Sequence, residues 1–217
     1  MAISEPPSTR TRVTRHPERG RYDRGEVDAI LDAAFHGHLA FVADGQPFAM
    51  PMLHVRDGDV IYLHGSVKSR FARVAGSGAA LCYTVTLIDG LVLARAAFTH
   101  SVNYRSAMVL GTGRVLADPG EKLRAMEMLV EHVVPGRTAD ARRPAPNELK
   151  ATEIIAVQID EASAKARTGG PVDSRQDIDD VEIWAGVLPV AIVAGEPITD
   201  AAAAAAVPDY VKQRLRG

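Results

Sequence analysis

The chain has 217 residues, a formal net charge of -2, and 47% apolar against 24% charged residues. That length suits one domain with decorated ends, and a near-neutral charge with 5% aromatics removes the electrostatic and stacking case for nucleic acid. The single Cys82 excludes an intramolecular disulfide, no apolar signal core opens the chain, and no run reaches the roughly 18 apolar residues of a membrane span, so a cytoplasmic, membrane-free protein is expected.

Residues 1–21 carry Arg10, Arg12, Arg15, Arg19 and Arg21 without apolar periodicity, which predicts an extended or disordered arm. Asp23 and Glu26 form a capping-box pattern ahead of Val27, Ile30, Leu31, Ala34 and Phe35 at helical spacing, and Gly37 is expected to end that helix. Leu39–Ala43, Phe48–Val55 and Val60–His64 then read as strands joined by Asp44-Gly45 and Asp57-Gly58 turns, an antiparallel meander. Pro51 inside the second run marks an edge or a bulge, where backbone groups can face a ligand.

After the third strand, Gly65 permits a tight turn, Ser66 can cap a short helix to Ala75, and Lys68, Ser69 and Arg70 fall in its first turn. Backbone N–H groups, two hydroxyls and two or three cations in one place are how a protein holds a phosphate monoester. An ordinary strand-to-helix connection with solvated cations is the alternative. Ala79–Ile88 and Leu91–Phe98 read as two strands around an Asp89-Gly90 turn. Tyr104–Ala117 reads as a long strand with a bulge or barrel corner at Gly111 and Gly113.

A helix from Asp118 to Val134 presents Leu123, Met126, Leu129 and Val130 on one face, with Met126 and Met128 as core filler. A polar, basic stretch at 136–146, a helical turn at Asn147–Lys150 and a last strong strand at Glu153–Ile159 follow. Asp173, Asp177, Asp179, Asp180 and Glu182 read as a solvated acidic patch. Trp184 is either a core anchor or a wall against a flat ligand, and the Ala-rich tail from Thr199 favours helix, with Lys212, Arg214 and Arg216 near its end. Six or seven antiparallel strands with peripheral helices make a mainly β fold, a small Greek-key or split barrel. Three units are expected: an arm at 1–21, the barrel at 22–190, and a C-terminal extension at 191–217 with an Ala-rich helix.

Five ordered motifs carry a resemblance: Arg15-His16-Pro17-Glu18-Arg19-Gly20 with Tyr22-Asp23; Tyr62-Leu63-His64-Gly65-Ser66 with Ser69-Arg70; Leu87 through Arg95; His100-Ser101 with Asn103-Tyr104-Arg105-Ser106; and Trp184-Ala185-Gly186-Val187-Leu188-Pro189. Residues 14–190 thereby resemble the FMN-binding, pyridoxamine 5′-phosphate oxidase-like split-barrel proteins, in the branch similar to nitroimidazole-resistance proteins. The resemblance implies a homodimer with FMN at the subunit interface. It implies that His64, Gly65, Ser66, Lys68, Ser69 and Arg70 grip the phosphate, and that Met50, Pro51 and Met52 run along the isoalloxazine. Tyr104, Arg105 and Ser106 would reach the flavin from the other strand set, across the dimer, and Trp184 would sit near the ring.

The activity implied is that of an FMN-dependent oxidoreductase passing electrons from a small-molecule donor to a small acceptor. No catalytic side chain stands out; His64 and Tyr104 are the candidate proton donors. Trp184 is followed by Ala-Gly-Val-Leu-Pro-Val where true oxidases of the family carry an Arg-x-His signature, which argues against pyridoxamine 5′-phosphate oxidation. The alternative is a carrier or sensor that binds flavin, haem or deazaflavin without turnover, with His54, His64 and His100 as possible iron ligands.

Overall fold

The computed structural model describes residues 5–213. The first four residues of the arm and the last four of the tail, Arg214 and Arg216 included, lie outside the described residues. In chain order the elements are β1 (Gly20–Arg21), α1 (Arg24–Ala33), β2 (His36–Ala43), β3 (Gln46–Asp57), β4 (Val60–Ser66), α2 (Arg70–Ala75), β5 (Ala80–Leu93) and β6 (Ser101–Val115). They continue with α3 (Pro119–Val133), α4 (Pro146–Ala151), β7 (Thr152–Gln158), β8 (Glu161–Arg167), α5 (Arg175–Asp180), β9 (Gly186–Pro189) and α6 (Asp209–Gln213). The strands form one antiparallel sheet in the order β1-β8-β6-β7-β4-β3-β2-β5-β9, and a β5–β6 ladder closes it into a split barrel.

Two strands make the split. β3 pairs with β2 from Gln46 to Leu53, then with β4 from His54 to Asp57. Between the first half of β3 and the end of β4 the sheet is therefore open. β6 turns the opposite corner: it pairs with β8 through Leu110 and with β7 from Gly113. Gly111 sits at that corner because a Cβ there would collide with the carbonyl oxygen of Gln158.

Strand alternation fills the barrel. Leu39 and Phe41 of β2, Leu81, Tyr83 and Val85 of β5, Ala107 and Val109 of β6, and Ile155 and Val157 of β7 all point inward and are buried. α1 closes one end with Val27, Ile30 and Leu31, its Asp23 cap accepting from the Glu26 amide at 3.2 Å. α3 covers the other side of the β3–β4–β7 segment, with Ala125 and Leu129 on Val55, Tyr62, Ile154 and Ala156.

Several elements differ from the pattern the residues suggest. Gly37 lies within β2, not at a helix end; a Cβ on it would strike the Thr84 carbonyl across the ladder. Asp89-Gly90 is a register shift inside one continuous β5, not a turn. β8, with the sequence Glu-Ala-Ser-Ala-Lys-Ala-Arg, is a full strand despite weak β propensity, because Ala162 and Ala164 are small enough to sit under α1. The alanines at 201–206 form a turn and irregular chain, and the short tail helix begins only at Asp209. Six exposed alanines without a packing surface fall short of the length at which helix forms alone. The described part of the arm is docked rather than free: Thr11 is buried, the Val13 amide donates to the Tyr22 hydroxyl at 2.9 Å, and Ser8 and Arg10 both bond Glu161.

Candidate functional site

The open split brings two features together at the ends of β3 and β4. The first is the loop 66–70. The Ser66 hydroxyl accepts from the Lys68 amide at 3.2 Å, the Ser69 amide donates to the Ser66 carbonyl at 2.9 Å, and Ser69 caps α2 through the Ala72 amide at 3.2 Å. The two hydroxyls thus shape the loop, and Lys68 and Arg70 are its cations. Arg70 lies over the Phe48 ring at 4.3 Å, a cation–π contact that holds its guanidinium at the mouth of the split. The amides of Arg70 and Phe71, first in α2, have no partner inside the helix by construction. Gly65 is obligatory here, since a Cβ would collide with the Phe71 ring.

On β3, Met50 and Met52 turn toward the barrel core, whereas Ala49, Pro51 and Leu53 form the exposed face. Of the three β3 residues expected along the ligand, only Pro51 offers its side chain to the open side. Met50 and Met52 can contribute backbone groups alone.

The second feature is a cavity of about 370 Å³ beyond the split. Leu53 and His64 form its floor, and Met126, Leu129, Val130, Val133 and Val134 its wall. Arg137, Arg142 and Arg143 stand at its rim. Its volume is that of an ordinary small-molecule site, roughly 300–1,000 Å³. The rim loop is fixed: the Glu131 carboxylate accepts from the Gly136 amide at 2.6 Å and the Thr138 amide at 2.8 Å, and the Thr138 hydroxyl adds a third bond. The hydroxyl of Thr138, then the two amides, hold the Glu131 carboxyl below its ordinary pKa.

Among the described residues His64 is the only imidazole lining this cavity. Among the described residues neither of its ring nitrogens has a hydrogen-bond partner, and the apolar surroundings push its pKa below the ordinary value. It therefore offers free ring nitrogens to the cavity, and an imidazole nitrogen without a hydrogen-bond partner is what a metal takes. The other two candidate iron ligands are placed differently. His54 is fully buried with both nitrogens occupied, by the Leu31 carbonyl at 3.0 Å and the Tyr83 hydroxyl at 2.9 Å. His100 is exposed on the β5–β6 connection, bonded to the Ala96 carbonyl at 3.0 Å.

The chain does not itself unite the two expected halves of the flavin site. Val115 pairs with Ile155, which pairs with Leu63 beside His64, whereas Arg105 lies ten positions back along β6, on the order of 30 Å of strand. Arg105 is held by Asp89 at 2.7 and 2.9 Å. Ser106 donates to the Lys165 carbonyl at 3.2 Å and lines a separate groove of about 400 Å³ under the arm. Tyr104 pairs with Ile88 and Arg167. Trp184 is 67% exposed, its ring over Gly186, and so is not a core anchor. Asp173 is not solvated either: it accepts from the Thr99 hydroxyl at 2.9 Å and from Arg95 backbone and side chain at 3.1 Å.

Residues 23–166 match the family model described as pyridoxamine 5′-phosphate oxidase. The chain is similar to the flavocytochrome Anf3 from Azotobacter vinelandii, with 35% identity over 97% of this chain and 98% of that one and a TM-score of 0.90. It is likewise similar to the FAD and haem binding protein from Mycobacterium smegmatis, with 36% identity over 90% and 97% of the two chains and a TM-score of 0.85. A candidate 5-nitroimidazole antibiotic resistance protein from Bacteroides thetaiotaomicron shares the fold at 22% identity over 66% and 83% of the chains, TM-score 0.55. No curated protein matches the sequence.

Proposed function

The chain belongs to the pyridoxamine 5′-phosphate oxidase family, and from that premise we propose that it is a redox protein with a flavin nucleotide at the split and a haem in the adjoining cavity. The observation that carries this reading is the cavity's donor set. It combines an apolar wall, an imidazole whose nitrogens have no partner among the described residues, and guanidinium groups confined to the rim. A haem matches that set point for point, with a flat apolar macrocycle, an iron that takes a histidine nitrogen, and carboxylates at one edge. Two relatives above 30% identity being a flavocytochrome and an FAD and haem binding protein supports the same reading.

In this reading His64 leaves the phosphate grip and becomes the iron ligand. Lys68 and Arg70 hold the flavin's phosphate, assisted by the first amides of α2. The open β3 face at Ala49, Pro51 and Leu53 offers a smooth surface to the isoalloxazine. Leu53 belongs to both the open face and the cavity floor, so the two groups would lie on either side of one residue. When bound, flavin and haem together link two-electron donors to one-electron acceptors. The residues supply position, a dry wall and charge complementarity. FMN is what the motif resemblance implies, and the FAD-binding relative at 36% identity favours FAD; both offer phosphate oxygens to the same cations.

A homodimer completes the flavin site in this proposal. Exposed apolar side chains on one stretch support it: Trp184, Leu188, Ile192, Val193 and Ile198, with Phe98 at the β5–β6 connection. The partner's Tyr104, Arg105, Ser106 and Trp184 would then approach the split. The test is the absorbance spectrum of protein produced with haem supplied, with released flavin identified by mass and the assembly mass measured by sedimentation. A Soret band, a flavin near one per chain and a two-chain mass are expected. Protein that takes up neither chromophore contradicts the proposal.

A further inference from the structure

The three rim arginines do not hold equivalent partners. Arg142 makes a two-pronged pair with Glu148 at 2.6 and 2.7 Å, and Arg143 pairs with Glu127 at 3.0 Å. Both guanidinium charges are already met by carboxylates. Arg137 is the exception: among the described residues it forms no ion pair, and its Nη1 donates instead to the Tyr210 hydroxyl at 3.0 Å. That hydroxyl donates in turn to Asp140 at 2.7 Å. Arg137 therefore lines the cavity with its charge uncompensated by direct contact and its orientation set by a neutral phenol.

The phenol comes from the far end of the chain. Tyr210 sits on α6, separated from β9 by the irregular residues 190–208. It docks with its ring base over Gly136, whose φ of +90° turns the chain into the rim loop, and where a Cβ would meet Tyr210 carbons at 3.3–3.4 Å. A glycine is needed both for that backbone conformation and for the close approach. Apart from Tyr210, the polar side-chain bonds of α6 among the described residues are internal, Lys212 with Asp209. This one side chain is thus what ties the tail's polar surface to the cavity rim.

We propose that the C-terminal segment is part of the haem site: Tyr210 is a positioning residue that holds Arg137 where it takes a carboxylate of the bound tetrapyrrole. The inference rests on the haem reading above and adds to it a specific role for the tail and a preference for carboxylate-bearing rings. Tyr210 fixes one Nη of Arg137 and leaves the rest of the planar fork, four further N–H donors, for a bidentate carboxylate. Asp140, held off by the phenol, does not neutralise the guanidinium by direct contact.

The test is titration of the haem-depleted full-length chain with haemin and with haemin dimethyl ester, for wild type, Tyr210→Phe, Arg137→Gln and the double variant. Phe keeps the ring over Gly136 and removes only the hydroxyl. Wild type is expected to prefer haemin to the ester by about tenfold, the scale of a charge-assisted hydrogen bond. Tyr210→Phe should weaken haemin about fivefold and leave the ester unchanged. Arg137→Gln should abolish the preference, and the double variant should be no worse than Arg137→Gln. Equal weakening of both ligands by Tyr210→Phe would show a structural role and overturn the proposal, as would haemin affinity untouched by that change. A wild-type chain that binds neither ligand would overturn the haem reading itself.

Discussion

His54 stands opposite Leu63 in the last pair of the β3–β4 ladder, and His64 is the next residue along β4, paired with Ile154 of β7. His54 is sealed between α1 and the barrel. The Leu31 carbonyl accepts from its Nε2, and the Tyr83 hydroxyl reaches its Nδ1 and lies 3.1 Å from the Met52 carbonyl. Burial pushes its pKa down to about 4 and raises that of Tyr83. His64, just past the last β3–β4 pair, looks into an apolar cavity with both nitrogens free among the described residues. The same side chain is thus an internal strut in one place and an available ligand in the other, according to whether its nitrogens are already bonded.

The contrast can be broken most forcefully in the sealed half. Gly111→Ala forces a methyl into the Gln158 carbonyl at the barrel corner and should cost more than about 4 kcal/mol. Denaturant unfolding at the wild-type midpoint would show that the corner yields. His54→Ala leaves a void and removes one bond each from the Leu31 carbonyl and the Tyr83 hydroxyl, for a loss of about 3 kcal/mol in the same measurement. Haem and flavin content per folded chain should not change.

Acid probes the same residue without mutation. The folded-state pKa of His54 is depressed, so the unfolded chain binds the extra proton and stability rises with pH between the two values. His54 therefore contributes fully above pH 6.5, and its contribution, about 3 kcal/mol for the fall from 6.5 to about 4, is lost as pH drops through that window. Stability curves for wild type and His54→Gln should lie furthest apart above pH 6.5 and converge as pH falls to near 4. Parallel curves would mean that another group governs the acid transition.

Arg70→Ala sharpens the open half. Removing a partly desolvated cation from a phosphate costs about 1.5–3 kcal/mol, so flavin affinity should fall between about 10- and 150-fold, read by fluorescence titration. Undiminished flavin retention would move the phosphate away from loop 66–70.

How far the residues disclosed this arrangement also follows the two halves. The meander, the short helix after Gly65, the helix start at Asp118 and the corner at Gly111 and Gly113 were all legible, because turn residues, helix-start signals and period-two alternation act over a few neighbours. β8 was hidden because Glu-Ala-Ser-Ala-Lys-Ala-Arg has no β-branched or aromatic residue, and only tertiary packing makes its alanines a core face. The cavity was hidden for a similar reason. Its wall reads as one helix and its rim as a basic loop, and only the fold sets them over His64. The basic triplet Arg137, Arg142 and Arg143 just after the apolar run Leu129, Val130, Val133 and Val134 was the available signal. For Trp184 the residues left two roles open, core anchor or wall against a flat ligand, and its exposed ring removes the first.

The central claim is that His64, and not its neighbour His54, is a ligand. Side-by-side absorbance spectra of wild type and His64→Ala, produced with haem supplied, test it most directly. His64 has no bond to lose among the described residues, so its removal should change stability by no more than about 0.5 kcal/mol. The account predicts a Soret band in wild type that is lost in His64→Ala, with flavin absorbance and unfolding midpoint unchanged. A Soret band of equal height and position in both proteins would contradict it.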